Sequence, residues 1–208
     1  MARRSKSSDR WLREHFKDPY VKRAQSEGWR SRAVFKLEQI DQKAKLLQPG
    51  SVCIDLGAAP GAWSQYAVRK VGPRGRVVAS DILPMQGIAG VEFVAGDFRE
   101  EAVVARILEL VPERGVDVVL SDMAPNLSGV DAIDQPRAMH LAELALDLAG
   151  RVLKREGSAL IKVFQGAGFQ ELVAASRRQF ATVKLLKPDA SRARSPETYL
   201  LAQGYRLV

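Results

Sequence analysis

Lys162 lies inside Leu160-Ile161-Lys162-Val163-Phe164, a run that is otherwise apolar and reads as a strand. A lysine buried in such a strand is costly unless it is paired or has a chemical task; the plainer alternative is an edge lysine that snorkels to water. Lys36, within the apolar-periodic helix 33–40, and Glu197, at the head of the last strand, would each pass alone as surface charge. Asp122 closes the fourth predicted strand in Ser121-Asp122-Met123-Ala124-Pro125-Asn126. Together these residues make a set of two lysines and two carboxylates, groups suited to moving and holding a proton.

A second constellation lies earlier. Ile54-Asp55-Leu56-Gly57-Ala58-Ala59-Pro60-Gly61-Ala62-Trp63 joins an apolar strand to an amphipathic helix through a turn of tiny residues. Without bulky side chains, such a turn lets a flat ligand lie against the backbone at the carboxyl end of a parallel strand. The spacing Gly57-x-x-x-Gly61 is not the Gly-x-Gly-x-x-Gly that brings a pyrophosphate onto a helix, which argues against a nicotinamide-dependent dehydrogenase. It suits a cofactor without phosphates, with S-adenosylmethionine the leading candidate; a purely structural glycine turn is the alternative. Asp81 ends the second strand, twenty residues after Gly61, where it can accept both hydroxyls of a ribose. Asp97-Phe98 follows the third strand and offers a carboxylate to an adenine amino group and an aromatic flank to its ring. One strand-end aspartate is readily a turn former or helix cap. Four at one edge, counting Asp55 and Asp122, are hard to credit to capping. No metal-ligand spacing is present, so no metal is expected, and His15 and His140 on predicted helices read as surface or packing residues.

The elements that must position these residues alternate. Strands are predicted at 51–56, 76–80, 91–95, 116–121, 159–164, 183–187 and 198–203, and helices at 63–71, 100–111, 135–154 and 169–179. Five β-rich runs joined by helical crossovers imply a mainly parallel sheet covered on both faces. The short final connection implies an antiparallel pair at the C-terminal edge. Residues 10–45 are helical in pattern, punctuated by Pro19 and Gly28, and Pro49-Gly50 launches the first strand. The expected organisation is a disordered basic tail (1–9), a basic helical segment (10–48) and one cofactor domain (49–208), with 10–48 packed on it as a single unit.

The chain has 208 residues, enough for one α/β domain with an appendage, and no apolar run long enough to span a membrane. Basic residues near Met1 are not followed by an apolar stretch, so no secretory signal is expected. The single cysteine, Cys53, reads as a small core residue in a reducing compartment, and the expected location is the cytoplasm. The net charge of +8 divides unevenly: +6 in residues 1–38, −3 in the middle and +5 in 177–208. Two basic ends can be solvated termini, or they can fold together beside the site and hold a polyanion. The aromatic residues Trp11, Phe16, Tyr20, Trp29 and Phe35 among the charges favour RNA over a membrane surface.

The chain resembles the FtsJ/RrmJ family of ribose 2′-O-methyltransferases over nearly its whole length. The resemblance rests on Tyr20-x-x-x-Ala24, Arg30-Ser31-Arg32-Ala33-x-Phe35-Lys36-Leu37, the 55–65 glycine turn, Ser121 to Asn126, Lys162-Val163-Phe164-Gln165-Gly166 and 187–197. One departure is Ala62, where the family usually carries a second glycine. The resemblance implies a Rossmann-like, S-adenosylmethionine-dependent methyltransferase fold of seven strands. It implies a catalytic tetrad of Lys36, Asp122, Lys162 and Glu197, and cofactor contacts from Gly57, Gly61, Trp63, Asp81, Asp97, Phe98 and Asp122.

It also implies a substrate, a uridine in the peptidyl-transferase region of 23S rRNA within the large (50S) subunit, and a protein expected to act as a monomer. A ribose 2′-hydroxyl is a poor nucleophile until a base takes its proton. Lysine serves as base only when neutral, a form favoured by burial, a neighbouring ammonium and a sulfonium. Lys162 is the expected base, Lys36 the holder of the hydroxyl or a neighbouring phosphate, and Asp122 and Glu197 the groups that orient the amines. Arg30, Arg32, Arg192 and Arg194 are expected to join Lys36 in holding RNA phosphates. Three competitors remain: a family member acting on tRNA or another RNA, a methyltransferase for small molecules or proteins, and a non-catalytic RNA-binding module.

Overall fold

β1 (Val52–Leu56) has no exposed residue, because strands flank it on both sides and helices cover both its faces. The computed structural model describes residues 18–125, 128–192 and 195–207. Around β1 stand β2 (Arg76–Asp81), β3 (Val91–Ala95), β4 (Val116–Ser121), β5 (Leu153–Phe164), β6 (Phe180–Leu186) and β7 (Glu197–Tyr205). The order across the sheet is β3-β2-β1-β4-β5-β7-β6. Neighbours from β3 to β5 are parallel, and β7 runs antiparallel to both β5 and β6.

Helices α1 (Pro19–Ser26), α2 (Val34–Ala44) and α3 (Ala62–Val71) share a core with one face of the sheet. Helices α4 (Glu101–Glu109), α5 (Asp131–Val152) and α6 (Phe169–Gln179) share a core with the other. This is the Rossmann-like α/β architecture expected from the alternating pattern. The strand order reverses between β1 and β4, so their carboxyl ends open a crevice at the place where doubly wound sheets bind ligands.

The N-terminal helices are fixed locally. Pro19 opens α1, and the Asp18 carboxylate accepts a hydrogen bond from the Tyr20 N–H (2.9 Å). Phe35 and Leu37 on α2 are wholly buried against the sheet, each burial worth about 1.5–3 kcal/mol. They pin the first turn of α2, and Lys36 between them, to the sheet. The tail at 1–9 and the helical expectation for 10–17 lie outside the described residues.

Several boundaries shift by a few residues, and two departures from the sequence-based expectation bear on the site. β5 begins at Leu153, six residues early, because its first part pairs irregularly with β4 across a register shift between Val116 and Val118. Exposed Arg155 and Glu156, the latter at φ 65°, interrupt the apolar pattern there and hide the strand. The antiparallel pair at the C-terminal edge is present, but β7 is slotted inside it and β6 is the outer strand. That insertion matters for Lys162. Its strand is paired on both sides and its side chain is 8% exposed, so it is no snorkelling edge lysine.

Candidate active site

The β5–β7 register sets Lys162 opposite Tyr199 and Phe164 opposite Glu197. Residues two apart on a strand share a face, so Lys162, Glu197 and Tyr199 all point toward the layer of α1, α2 and α3. Asp122 follows the last residue of β4, and the first turn of α2 brings Lys36 over the same spot. All four residues expected to do chemistry meet there, as two ion pairs. Lys36 Nζ lies 2.7 Å from Glu197 Oε1, and Lys162 Nζ lies 2.9 Å from Asp122 Oδ1. Lys162 also donates to the Asp122 backbone carbonyl (2.7 Å).

Tyr199 joins the two pairs. Its hydroxyl donates to Asp122 Oδ1 at 2.6 Å, and Lys36 Nζ stands 5.7 Å from its ring centroid. Burial, then the charges of Asp122 and Glu197, push the Tyr199 hydroxyl well above its ordinary range, so it remains a donor. Burial also pushes Asp122 upward, but the Lys162 and Lys36 ammoniums and the hydrogen bonds from Tyr199 and Lys162 outweigh it. The Asp122 carboxyl is held below its usual value and stays ionised. Sequence reasoning missed Tyr199. Its position two residues after Glu197 puts it on the same strand face, but only the pairing of β7 with β5 brings it to Lys162.

A cleft of about 390 Å³ opens beside this cluster, lined by Arg32, Lys36, Arg192, Ser195 and Glu197. Arg32 is braced by the Ala190 carbonyl (Nη2 to O, 2.5 Å) and by Asp18 (Nε to Oδ2, 3.0 Å). Among the described residues, the Arg192 guanidinium has only a long contact with Asp18 (3.9 Å). Arg30 does not line the cleft. Its guanidinium donates to the carbonyls of Pro60, Gln86 and Gly87. Arg194 and Asn126 lie outside the described residues.

The glycine turn sits between β1 and α3. Gly57 and Gly61 have φ of 72° and 104°, a region that disfavours side chains. A methyl group on Gly57 would fall 2.5 Å from Met123 Cγ. Asp81 stands beside the turn: Oδ2 accepts from the Ala59 N–H and Oδ1 from the Leu83 N–H, both at 2.8 Å. Ile82 and Leu83, next in the chain, are 62% and 59% exposed, whereas Phe98 is buried. Asp97 is clasped by Arg99, whose hydrogen bonds hold its carboxyl below the ordinary value despite some burial. Trp63 does not present its ring to the crevice as an open platform. It is buried, its indole N–H donates to the Ala33 carbonyl (2.8 Å), and its ring packs 5.8 Å from Tyr199, tying α2 to α3.

Asp55 is fully buried and accepts from the Ser64 hydroxyl (2.6 Å), while its Oδ1 has no hydrogen-bond partner among the described residues. Burial, opposed by the Ser64 bond and aided by the charges of Asp122 and Asp81, pushes its carboxyl up to about 7. Three aspartates, Asp55, Asp81 and Asp122, thus gather near the β1/β4 reversal, close enough to act on one another's charge.

The model of the FtsJ-like methyltransferase family matches residues 29–205. The chain belongs to that family. It is 58% identical over 204 residues to ribosomal RNA large subunit methyltransferase E of Legionella pneumophila (strain Corby), covering 98% of this chain and 99% of that one. It is 60% identical over 203 residues to the protein of the same name from Pseudomonas paraeruginosa (strain DSM 24068 / PA7), covering 98% of each. Among solved structures it is similar in fold to a Plasmodium falciparum protein assigned as a ribosomal RNA methyltransferase. That match has a TM-score of 0.75 and 23% identity, and covers 85% of this chain and 98% of that one. Within the FtsJ-like frame the glycine turn and the two ion pairs lie at the carboxyl edge of one sheet, at the β1/β4 reversal.

S-adenosylmethionine, which an FtsJ-like methyltransferase implies, fits these residues by their chemistry. Acidic groups suit its sulfonium. The Asp81 oxygens each keep a lone pair free after one backbone hydrogen bond, as a ribose diol requires. Ile82 is exposed beside Asp81, whereas Phe98 is buried.

Proposed function

We propose that the chain methylates the ribose 2′-hydroxyl of a uridine in the peptidyl-transferase region of 23S rRNA, within the large ribosomal subunit. The observation that carries this reading is the convergence of the Lys36–Glu197 and Lys162–Asp122 pairs beside a cleft walled by Arg32 and Arg192. The names of the relatives support the rRNA part, since they are methyltransferases of large-subunit ribosomal RNA. When bound, S-adenosylmethionine supplies the electrophilic methyl carbon. Gly57, Gly61, Asp81, Asp97, Phe98 and Asp122 hold it, with Trp63 as their support.

Lys162 is the base. A neutral lysine amine has two N–H groups and one lone pair. Asp122 offers Lys162 two acceptors, the carboxylate Oδ1 and the backbone carbonyl. Both hydrogens are then engaged, and the lone pair is the free position that can take the hydroxyl proton. Tyr199 fixes the carboxylate by donating to the same Oδ1. Lys36, oriented by Glu197, holds the hydroxyl or a flanking phosphate from the cleft side. Catalysis on this scheme is mainly alignment, with the proton removed as the bond forms.

Among the described residues Arg192 is held less closely than Arg32, so its fork is the one to offer a phosphate. Arg192→Gln is expected to weaken rRNA association several-fold and to flatten the salt dependence of binding by about one unit of slope. Filter binding across a salt series reads both, and an unchanged slope would remove Arg192 from the interface. The function itself is tested by transfer of labelled methyl groups from S-adenosylmethionine to large subunits from cells lacking the enzyme, alongside tRNA and bulk protein. Label confined to 23S rRNA supports the reading; label in tRNA or protein redirects it.

A further inference from the structure

Arg30 belongs to the basic N-terminal segment, yet its side chain faces away from the basic cleft. Nη1 donates to the Pro60 carbonyl (2.9 Å) and the Gln86 carbonyl (2.7 Å), and Nη2 to the Gly87 carbonyl (2.8 Å). One guanidinium thus joins the glycine turn after β1 to the loop after β2. The Arg30 backbone is itself anchored: its N–H donates to Gln65 Oε1 (3.1 Å), and Gln65 Nε2 donates to the Gly28 carbonyl (2.9 Å). Asp81 makes a second brace between the same two segments, taking the Ala59 and Leu83 N–H groups. A methyl group on Gly61 would strike Met85 Sδ at 2.7 Å, Ile88 Cδ1 at 2.8 Å and Arg30 Nη1 at 3.0 Å. Side chains of the loop after β2 therefore pack directly onto the turn, and the φ of 104° at Gly61 favours glycine there.

We propose that Arg30 is a positioning residue for the cofactor rather than a phosphate clamp for RNA. The physical reason is the direction in which its donors are spent. An arginine that holds RNA must offer its fork outward. Here the carbonyls of Pro60, Gln86 and Gly87 draw the fork toward the turn and the loop. Two of the three lie in the 82–90 loop, which has no regular structure of its own to hold it. Fixing that loop in advance removes ordering cost from cofactor binding, because Ile82 and Leu83 are carried on it and Asp81, at the end of β2, leads into it. The segment that holds Arg30 continues through Arg32 on the cleft wall to Lys36 in the ion-pair cluster, so one short stretch serves the two ligand sides with different residues.

This inference rests on the crevice being the S-adenosylmethionine site. Three measurements on Arg30→Met and Arg30→Lys separate the possibilities: calorimetric binding of S-adenosylhomocysteine, filter binding of an rRNA fragment, and amide hydrogen exchange of residues 85–90 in the protein without ligand. Arg30→Met should weaken S-adenosylhomocysteine about tenfold, leave the RNA dissociation constant within about twofold, and speed exchange in the loop. Arg30→Lys, which cannot fork across three carbonyls, should fall between wild type and Met in both affinity and exchange. Unchanged S-adenosylhomocysteine binding, unchanged loop exchange, or a loss of RNA binding alone would each overturn the assignment. Should wild-type protein fail to bind S-adenosylhomocysteine, the cofactor reading itself falls. The exchange experiment would still show whether Arg30 holds the loop.

Discussion

Lys162→Met should lower the rate of methyl transfer by about 10³-fold, the range expected when a general base is removed, while S-adenosylhomocysteine and rRNA still bind. Methionine fills the volume of the lysine stem but offers no lone pair at the nitrogen position. The substitution also removes the ammonium nearest Asp122, leaving a partly buried carboxylate with the Tyr199 hydroxyl and the more distant Lys36 charge. Breaking a buried pair on one side destabilises a protein, by as much as about 3–5 kcal/mol in unfavourable cases. Some loss of stability is therefore expected alongside the loss of rate. The two are separable. Adding Asp122→Asn to Lys162→Met removes the stranded charge and should recover much of the stability but none of the activity. Single-turnover kinetics beside urea denaturation read both quantities. Near-normal turnover in Lys162→Met with intact binding would take the base role away from Lys162.

The second large effect concerns Asp55 and pH. Its carboxyl sits at about 7 in the folded protein against an ordinary 3.8. A raised carboxyl pKa means that the folded state holds a proton the unfolded state has already released. In the window from about 4 to 7 the native protein binds more protons, so stability falls as pH rises and levels off above 7. Between pH 5 and pH 8 this group alone should cost roughly 2–3 kcal/mol of folding stability. Asp122 acts in the opposite sense, but its lowered pKa confines its effect to pH values below the ordinary carboxylate range. Asp55→Asn keeps an acceptor for the Ser64 hydroxyl and carries no charge. Its urea midpoint should change little between pH 5 and 8, whereas the wild-type midpoint declines. Parallel declines in both proteins would assign the pH dependence to another group.

Much of this architecture could be read from the chain because local and global signals agree. The strands from 51 to 121 are short apolar runs bounded by glycines and acidic residues, and each lies within about one residue of its expected place. The lysine in an apolar strand and the aspartates at strand ends pointed to the carboxyl edge of the sheet, where the structure gathers them, because charge is costly wherever the flanking residues are buried. What stayed hidden depends on long-range pairing. Inserting β7 between β5 and β6 sets Tyr199 opposite Lys162, and no local pattern in 197–205 announces that register. The direction of an arginine is equally illegible. Arg30 and Arg32 differ by two positions in one basic segment, yet one reaches into a loop and the other walls the cleft. The family resemblance implies Trp63 as a cofactor contact, and no local pattern foretells that its indole N–H donates to Ala33, thirty residues earlier.

The most direct test is the chemical position of the methyl group. Large subunits from cells lacking the enzyme would be labelled with methyl-tritiated S-adenosylmethionine, and the purified 23S rRNA then hydrolysed in alkali. A methylated 2′-oxygen cannot attack the adjoining phosphate, so the label should emerge in a single alkali-resistant dinucleotide whose first nucleoside is uridine. Label released as an ordinary mononucleotide, with the methyl on a base, would mean that the two lysine–carboxylate pairs do not receive a sugar hydroxyl.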